Sequence, residues 1–151
     1  MTAPPSALQA HLGYWLRYVS NSVSHSFARR MESRGVTVAE WVLMRQLLEV
    51  ESLAPSRLAE RMGMTRGAVT RLADRLIAKS LLTRMADPGD GRAQKLALTA
   101  RGRRLVPQLA ALADVNDAEF FDELPAADRA ALLRILKGLV DKHRLRSLPV
   151  D

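Results

Sequence analysis

PSRLAERMGMTRGAVTRLAD, residues Pro55 to Asp74, packs two helix starts and one turn into a single short run. Pro55 or Ser56 opens a helix, Gly63 supplies the turn, and Thr65 caps a second helix that reaches about Ser80. A small Ala59 stands where two helices must approach, and Val69 and Leu72 fall at inward positions of the second helix. A small residue, a turn glycine and two aliphatics at these separations suit a short helix pair crossing at a steep angle. The segment reads as helix, turn, helix.

Downstream, Leu81 to Met85 and Lys95 to Thr99 are short strand candidates. They flank Ala86-Asp87-Pro88-Gly89-Asp90-Gly91-Arg92, a polar stretch rich in turn formers, so the pair reads as a two-stranded wing. Upstream, Thr37 with Glu40 three residues later makes a capping box that opens a helix to about Glu51, with Trp41, Leu43, Met44, Leu47 and Leu48 on its buried side. Before it, Leu8, Leu12, Trp15, Leu16, Val19, Val23, Phe27 and Met31 recur at steps of three and four, which predicts one helix from about Ser6 to Ser33. At 1.5 Å per residue that helix is about 40 Å long, more than a small DNA-reading lobe requires, and its apolar stripe needs a partner. Two further helices are expected over Thr99 to Glu123 and Ala126 to about Arg144, with stripes at Leu105, Leu109, Leu112 and Phe120, then Leu132, Leu136, Leu139 and Val140.

With Val69, Leu72 and Leu76 facing the core, a turn of 100° per residue sends Gly67, Thr70, Arg71 and Asp74 to the other side of the second helix. Arg66, Arg71, Arg75 and Lys79 set four cations against the single acid Asp74, while Thr65, Gly67 and Thr70 keep the helix start slim enough for a major groove. Arg71 is the best base-reading candidate. The same arginines also read as an ordinary solvated face, and Asp74 as an intrahelical ion pair with Arg71 or Arg75. In the wing, Arg92 follows Asp90 by two residues in a projecting loop, where a guanidinium held by Asp90 can enter a minor groove or grip phosphates; the bland reading is a plain turn. Arg101, Arg103 and Arg104, like Arg29, Arg30 and Arg34, either meet flanking phosphates or solvate helix ends.

Composition narrows the function classes. The 151 residues carry a net charge of +7, which suits a polyanionic partner, and contain no cysteine, which removes disulfides, thiolate metal sites and thiol redox sensing. No apolar run approaches the roughly 20 residues needed to span a bilayer, and MTAPPSALQAHL lacks a secretory pattern, so no membrane association and a cytoplasmic location are expected. The histidines His11, His25 and His143 are scattered, and neither a glycine-rich phosphate loop nor a metal-ligand spacing is found. An enzyme, a metal site and a bound cofactor are therefore not expected.

The long first helix, the helix-turn-helix, the Asp87-Pro88-Gly89-Asp90-Gly91-Arg92 wing and Leu98-Thr99-Ala100-Arg101-Gly102 opening the next helix together resemble the MarR family of transcriptional regulators over nearly the whole chain. The most specific pieces are Ala68-Val69-Thr70-Arg71-Leu72 with Asp74 and Leu76, and Asp90-Gly91-Arg92. The resemblance implies a mainly α fold with a small β-wing, forming one domain over 1–151. Within it a winged helix-turn-helix lobe covers 36–100, and 6–33 with 101–146 form a helical dimerisation region. It further implies a homodimer whose first and last helices interlock, a pseudopalindromic duplex DNA operator with half-sites about one helical turn apart, and repression relieved by a small molecule. The family's effector pocket, between the dimer helices and the DNA-binding lobe, directs attention to His11, Trp15, Trp41 and Arg45 and to a small aromatic or phenolic effector. On periodicity alone Trp15 and Trp41 read equally as core. The alternatives are a non-specific architectural DNA-binding protein and a partner-binding scaffold, which a specificity ratio and charge reversal on the second helix distinguish.

Overall fold

Three threonines start three helices in the computed structural model of the protein. Thr37 Oγ1 accepts from the Glu40 amide, Thr65 Oγ1 from that of Ala68 and Thr99 Oγ1 from that of Gly102, each at 3.0–3.1 Å. Each satisfies one of the backbone donors that a helix start leaves free. The structure describes residues 1–87 and 89–151, and residues 90–92 by backbone alone.

Among the described residues the order is α1 (Leu12–Glu32), α2 (Val38–Leu47), α3 (Pro55–Met62), α4 (Arg66–Ala78), β1 (Leu82–Asp87), β2 (Asp90–Leu98), α5 (Ala100–Phe121) and α6 (Ala126–Lys142). β1 and β2 pair antiparallel with Leu82 opposite Leu98 and Arg84 opposite Leu96, and the register shifts between Ala86 and Asp87. Leu53, in the link between α2 and α3, exchanges both backbone hydrogen bonds with Leu96 and so ties that link to the wing.

Two helices are shorter than the periodicity predicts. The first begins at Leu12 because the leader folds back as a 3₁₀ turn at Leu8–Ala10 and His11 is extended. Trp15 Nε1 closes that turn by donating to the Gln9 carbonyl at 2.9 Å. The helix expected to run to Glu51 stops at Leu47, where the Arg103 guanidinium takes the carbonyls of Leu48 and Val50 at 3.0 Å each. Arg103 thus satisfies carbonyls that the end of the helix leaves without a helical donor.

The core lies in the lobe between α1 and α5. Met31, Leu43, Met44, Leu47, Leu58, Met62, Val69, Leu76, Val106 and Leu109 are fully buried, joined by Leu82, Leu96 and Leu98 of the wing. Gly102 permits the close packing of α5 on the end of α4, since a Cβ there would lie 2.3 Å from the Leu81 carbonyl oxygen. Away from the lobe the helices are bare. Leu12, Trp15, Leu16 and Val19 of α1 and Leu133, Ile135, Leu139 and Val140 of α6 are exposed, and α6 has no buried residue among those described. No helix among the described residues is long and apolar enough to cross a membrane.

Candidate nucleic-acid interface

α4 separates its faces as its sequence predicts. Val69, Leu72, Ala73 and Leu76 are buried, while Arg66, Gly67, Thr70, Arg71 and Arg75 are exposed. Gly63 ends α3 in the left-handed conformation, φ +64°, and its position fixes the angle at which α4 leaves the turn. At the start of α4, Thr65 is committed to the cap, and Thr70 Oγ1 donates to the Arg66 carbonyl at 2.9 Å. The Arg71 guanidinium lies over Gly67, with Nη1 3.7 Å from where a Cβ would stand. The missing side chain at 67 thus clears a channel along the helix for Arg71.

The charges on this helix are distributed differently from the sequence pattern. Lys79 does not join the exposed row. Its Nζ turns inward and donates to Glu40 Oε2 at 2.7 Å and to the Gly35 carbonyl at 2.9 Å, and Glu40 is 1% exposed. The long aliphatic stem lets a residue at the helix end reach back under α2. Asp74 is not an intrahelical partner of Arg71 or Arg75: it pairs with Arg84 of β1 and ties the recognition helix to the wing. Arg66, Arg71 and Arg75 consequently face outward with no carboxylate partner among the described residues. That is a row of three uncompensated guanidinium groups on the exposed side of a helix whose first turn is narrow, the arrangement that phosphate and guanine edges accept.

The first wing strand is tied to the exposed face of α4 through Arg84 and Asp74. Gly89 donates its amide to Asp87 Oδ1 at 2.9 Å, a local turn that reverses the chain. Pro88 and the side chains of Asp90 and Arg92 lie outside the described residues. The effector candidates form two separate pairs. His11 and Trp15 sit at the exposed start of α1, with both His11 ring nitrogens 3.2 Å from Ser6 Oγ and the Leu8 carbonyl. Trp41 and Arg45 lie one turn apart on α2, Trp41 half-buried against the core and Arg45 paired with Glu49 at 3.3 Å. No hydrogen bond joins the two pairs among the described residues.

Two features were not signalled by sequence periodicity. Buried Asn116 of α5 accepts from Arg30 Nε and donates to the Val23 carbonyl, fastening α5 to α1. The segment after α6 returns to the lobe, where Leu148 donates its amide to the Met62 carbonyl at 3.0 Å and both Leu148 and Val150 pack on the core. Its Pro149 and Asp151 help line a cleft of about 250 Å³ with Val23, Phe27, Val38 and Asn116, in the space between the long helices and the lobe.

The comparisons with known proteins agree with this geometry. The family model described as MarR family matches residues 36–93, the span from the start of α2 to the wing. The HTH-type transcriptional repressor MdtR of Bacillus subtilis is 30% identical over 132 residues, which cover 87% of this chain and 76% of that relative. Among solved structures, BpsR of Bordetella bronchiseptica, described for regulation of its DNA binding by 6-hydroxynicotinic acid, superposes with a TM-score of 0.78 at 24% identity over 91% of this chain and 99% of that one. A mutant of Escherichia coli MarR complexed with operator DNA gives a TM-score of 0.76 at 24% identity over 85% and 93%. The shared fold, the identity with a repressor along most of both chains and the matched helix-turn-helix span show that this chain belongs to the MarR family and is a DNA-binding transcriptional regulator.

Proposed function

We propose that the protein is a ligand-responsive repressor that binds a pseudopalindromic operator as a homodimer in the cytoplasm. In this reading Arg71 reads a base edge in the major groove, with Thr65, Arg66, Gly67 and Thr70 fixing the helix start there and Arg75 holding phosphate. Asp90 orients Arg92, and Arg92 anchors the wing in the flanking minor groove. The observation that carries it is the pairing of Asp74 with Arg84, which gives the one acid on the exposed face of α4 its own counter-ion and leaves Arg66, Arg71 and Arg75 to a polyanion.

The lobe at 36–100 is the DNA-binding unit, and 6–33 with 101–146 form the dimerisation region. The bare apolar residues of α1 and α6 support this, because stripes of that size on two helices need a second chain to cover them. The effector is a small aromatic or phenolic acid, held by His11, Trp15, Trp41 and Arg45 once the second protomer brings the helix starts together. The likeness to BpsR, whose DNA binding is described as regulated by 6-hydroxynicotinic acid, supports an effector of this class.

Footprinting the DNA upstream of the protein's own gene tests this. Two protected half-sites about one helical turn apart are expected, one for each recognition helix. Even protection along the fragment would instead favour a non-specific architectural role.

A further inference from the structure

Arg101 and Arg104 of α5 and Arg34 just past α1, which the DNA-binding face does not use, converge. Arg101, Arg104 and Gln108 share one face of α5, and against it stand Arg34, just past α1, and Lys79, at the end of α4. Together they wall a cleft of about 480 Å³ whose other lining residues include no carboxylate. That volume falls within the range of roughly 300 to 1,000 Å³ typical of small-ligand sites.

Its electrostatics are one-sided. Lys79 has a counter-ion in Glu40, which lies outside the lining. Arg34 donates only to the neutral amide oxygen of Gln108, at 3.0 Å, and Arg101 only to the Lys79 carbonyl, at 3.0 Å. The Arg104 guanidinium has no hydrogen-bond or ion-pair partner among the described residues. Three guanidinium charges therefore face one concavity uncompensated. Three carbonyls at this end already accept hydrogen bonds, which blunts their repulsion of an anion: Gly35 from Lys79, Lys79 from Arg101, and Ser80 from Thr99 Oγ1 at 2.8 Å.

From this we infer that the cleft is a second ligand site, for a small molecule carrying a di- or polyphosphate group. Planar guanidinium forks match phosphate oxygens two at a time, and a site with three unmatched positive charges favours a multiply charged anion over a monocarboxylate. The cleft lies at the C-terminal end of α4. A 13-residue helix is about 20 Å long, so it stands about that far from the end that enters the groove, and DNA docked on Thr65 and Arg66 does not fill it.

Calorimetric titration of the full chain with inorganic pyrophosphate, at constant ionic strength balanced with chloride, tests the site without knowledge of the operator. Saturable binding is expected, weakened at least tenfold by Arg104→Glu and several-fold by Arg104→Gln, with shifts in the Lys79 to Leu81 amide resonances. The charge-matched Arg61→Glu, on α3, should bind as the parent does. Absence of saturation up to about 10 mM, or equal losses in the Arg61 and Arg104 variants, would overturn the assignment. A further arm measures the salt dependence of random-duplex binding, which Arg104→Gln should leave unchanged. A slope smaller by about one would make the cleft a DNA-phosphate contact instead.

Discussion

Ser147 rests on Gly63, 84 residues earlier: its hydroxyl donates to the Gly63 carbonyl at 3.2 Å, and its Cα stands 2.6 Å from where a Cβ on Gly63 would be. The turn glycine thus serves the left-handed end of α3 and the seating of the returning segment at once. Gly35 is a built-in control, with φ +75° and open space where its Cβ would stand. Gly35→Ala should cost about 1–2 kcal/mol from backbone strain alone. Gly63→Ala should cost at least about 1 kcal/mol more in urea denaturation, because Ser147 must also move. Equal losses would show that the segment is not seated there in solution.

The inward turn of Lys79 predicts a sharp asymmetry. Lys79→Met leaves Glu40 buried without its cation and should destabilise the lobe by about 3 kcal/mol in chemical denaturation. The double variant Glu40→Met with Lys79→Met, which removes both charges, should recover most of that loss. A single variant within about 0.5 kcal/mol of the parent would contradict the pairing.

The Asp74–Arg84 pair should matter for docking far more than for stability. Both side chains are roughly half exposed, so Asp74→Ala should change stability by less than about 1 kcal/mol. It should nevertheless weaken DNA binding severalfold, because the wing loses its tie to the recognition helix. The charge swap Asp74→Arg with Arg84→Asp should restore wing order, read from backbone amide relaxation. If it leaves the wing as mobile as in Asp74→Ala, the pair does not orient it.

These three contacts mark the boundary of what the sequence discloses. The starts after Thr37 and Thr65 were legible because capping is local: each hydroxyl reaches an amide three residues on. The buried and exposed sides of α4 followed from its period, and the wing from turn formers between two short strand candidates. Which partner a long side chain chooses did not follow. Lys79 lies on the exposed side of the pattern but reaches Glu40, and Asp74 has arginines within one turn yet takes Arg84 from another element. The break at His11 depends on the Trp15 indole closing back on Gln9, and the return of Ser147 on a contact between distant segments. Periodicity contains neither.

The bare face of α6 makes a prediction about assembly. Leu133 is 54% exposed in the single protomer, so Leu133→Glu there should cost under about 0.5 kcal/mol. If α6 packs against a second copy, the same change buries a charge at the interface. Sedimentation equilibrium should then show a dimer for the parent and a monomer for the variant. A variant dimer as tight as the parent would place the interface elsewhere.

Sequence-specific binding through α4 is the property on which regulation by this protein depends. A competition titration at about 150 mM salt, setting the duplex beside the protein's own gene against random DNA of equal length, measures it. The parent should prefer the promoter by roughly a thousandfold or more, and Arg71→Ala should cut that ratio by about 1–3 kcal/mol at one operator position while binding random DNA almost as before. Equal affinity for both duplexes, or an Arg71→Ala loss that falls alike on promoter and random DNA, would contradict it.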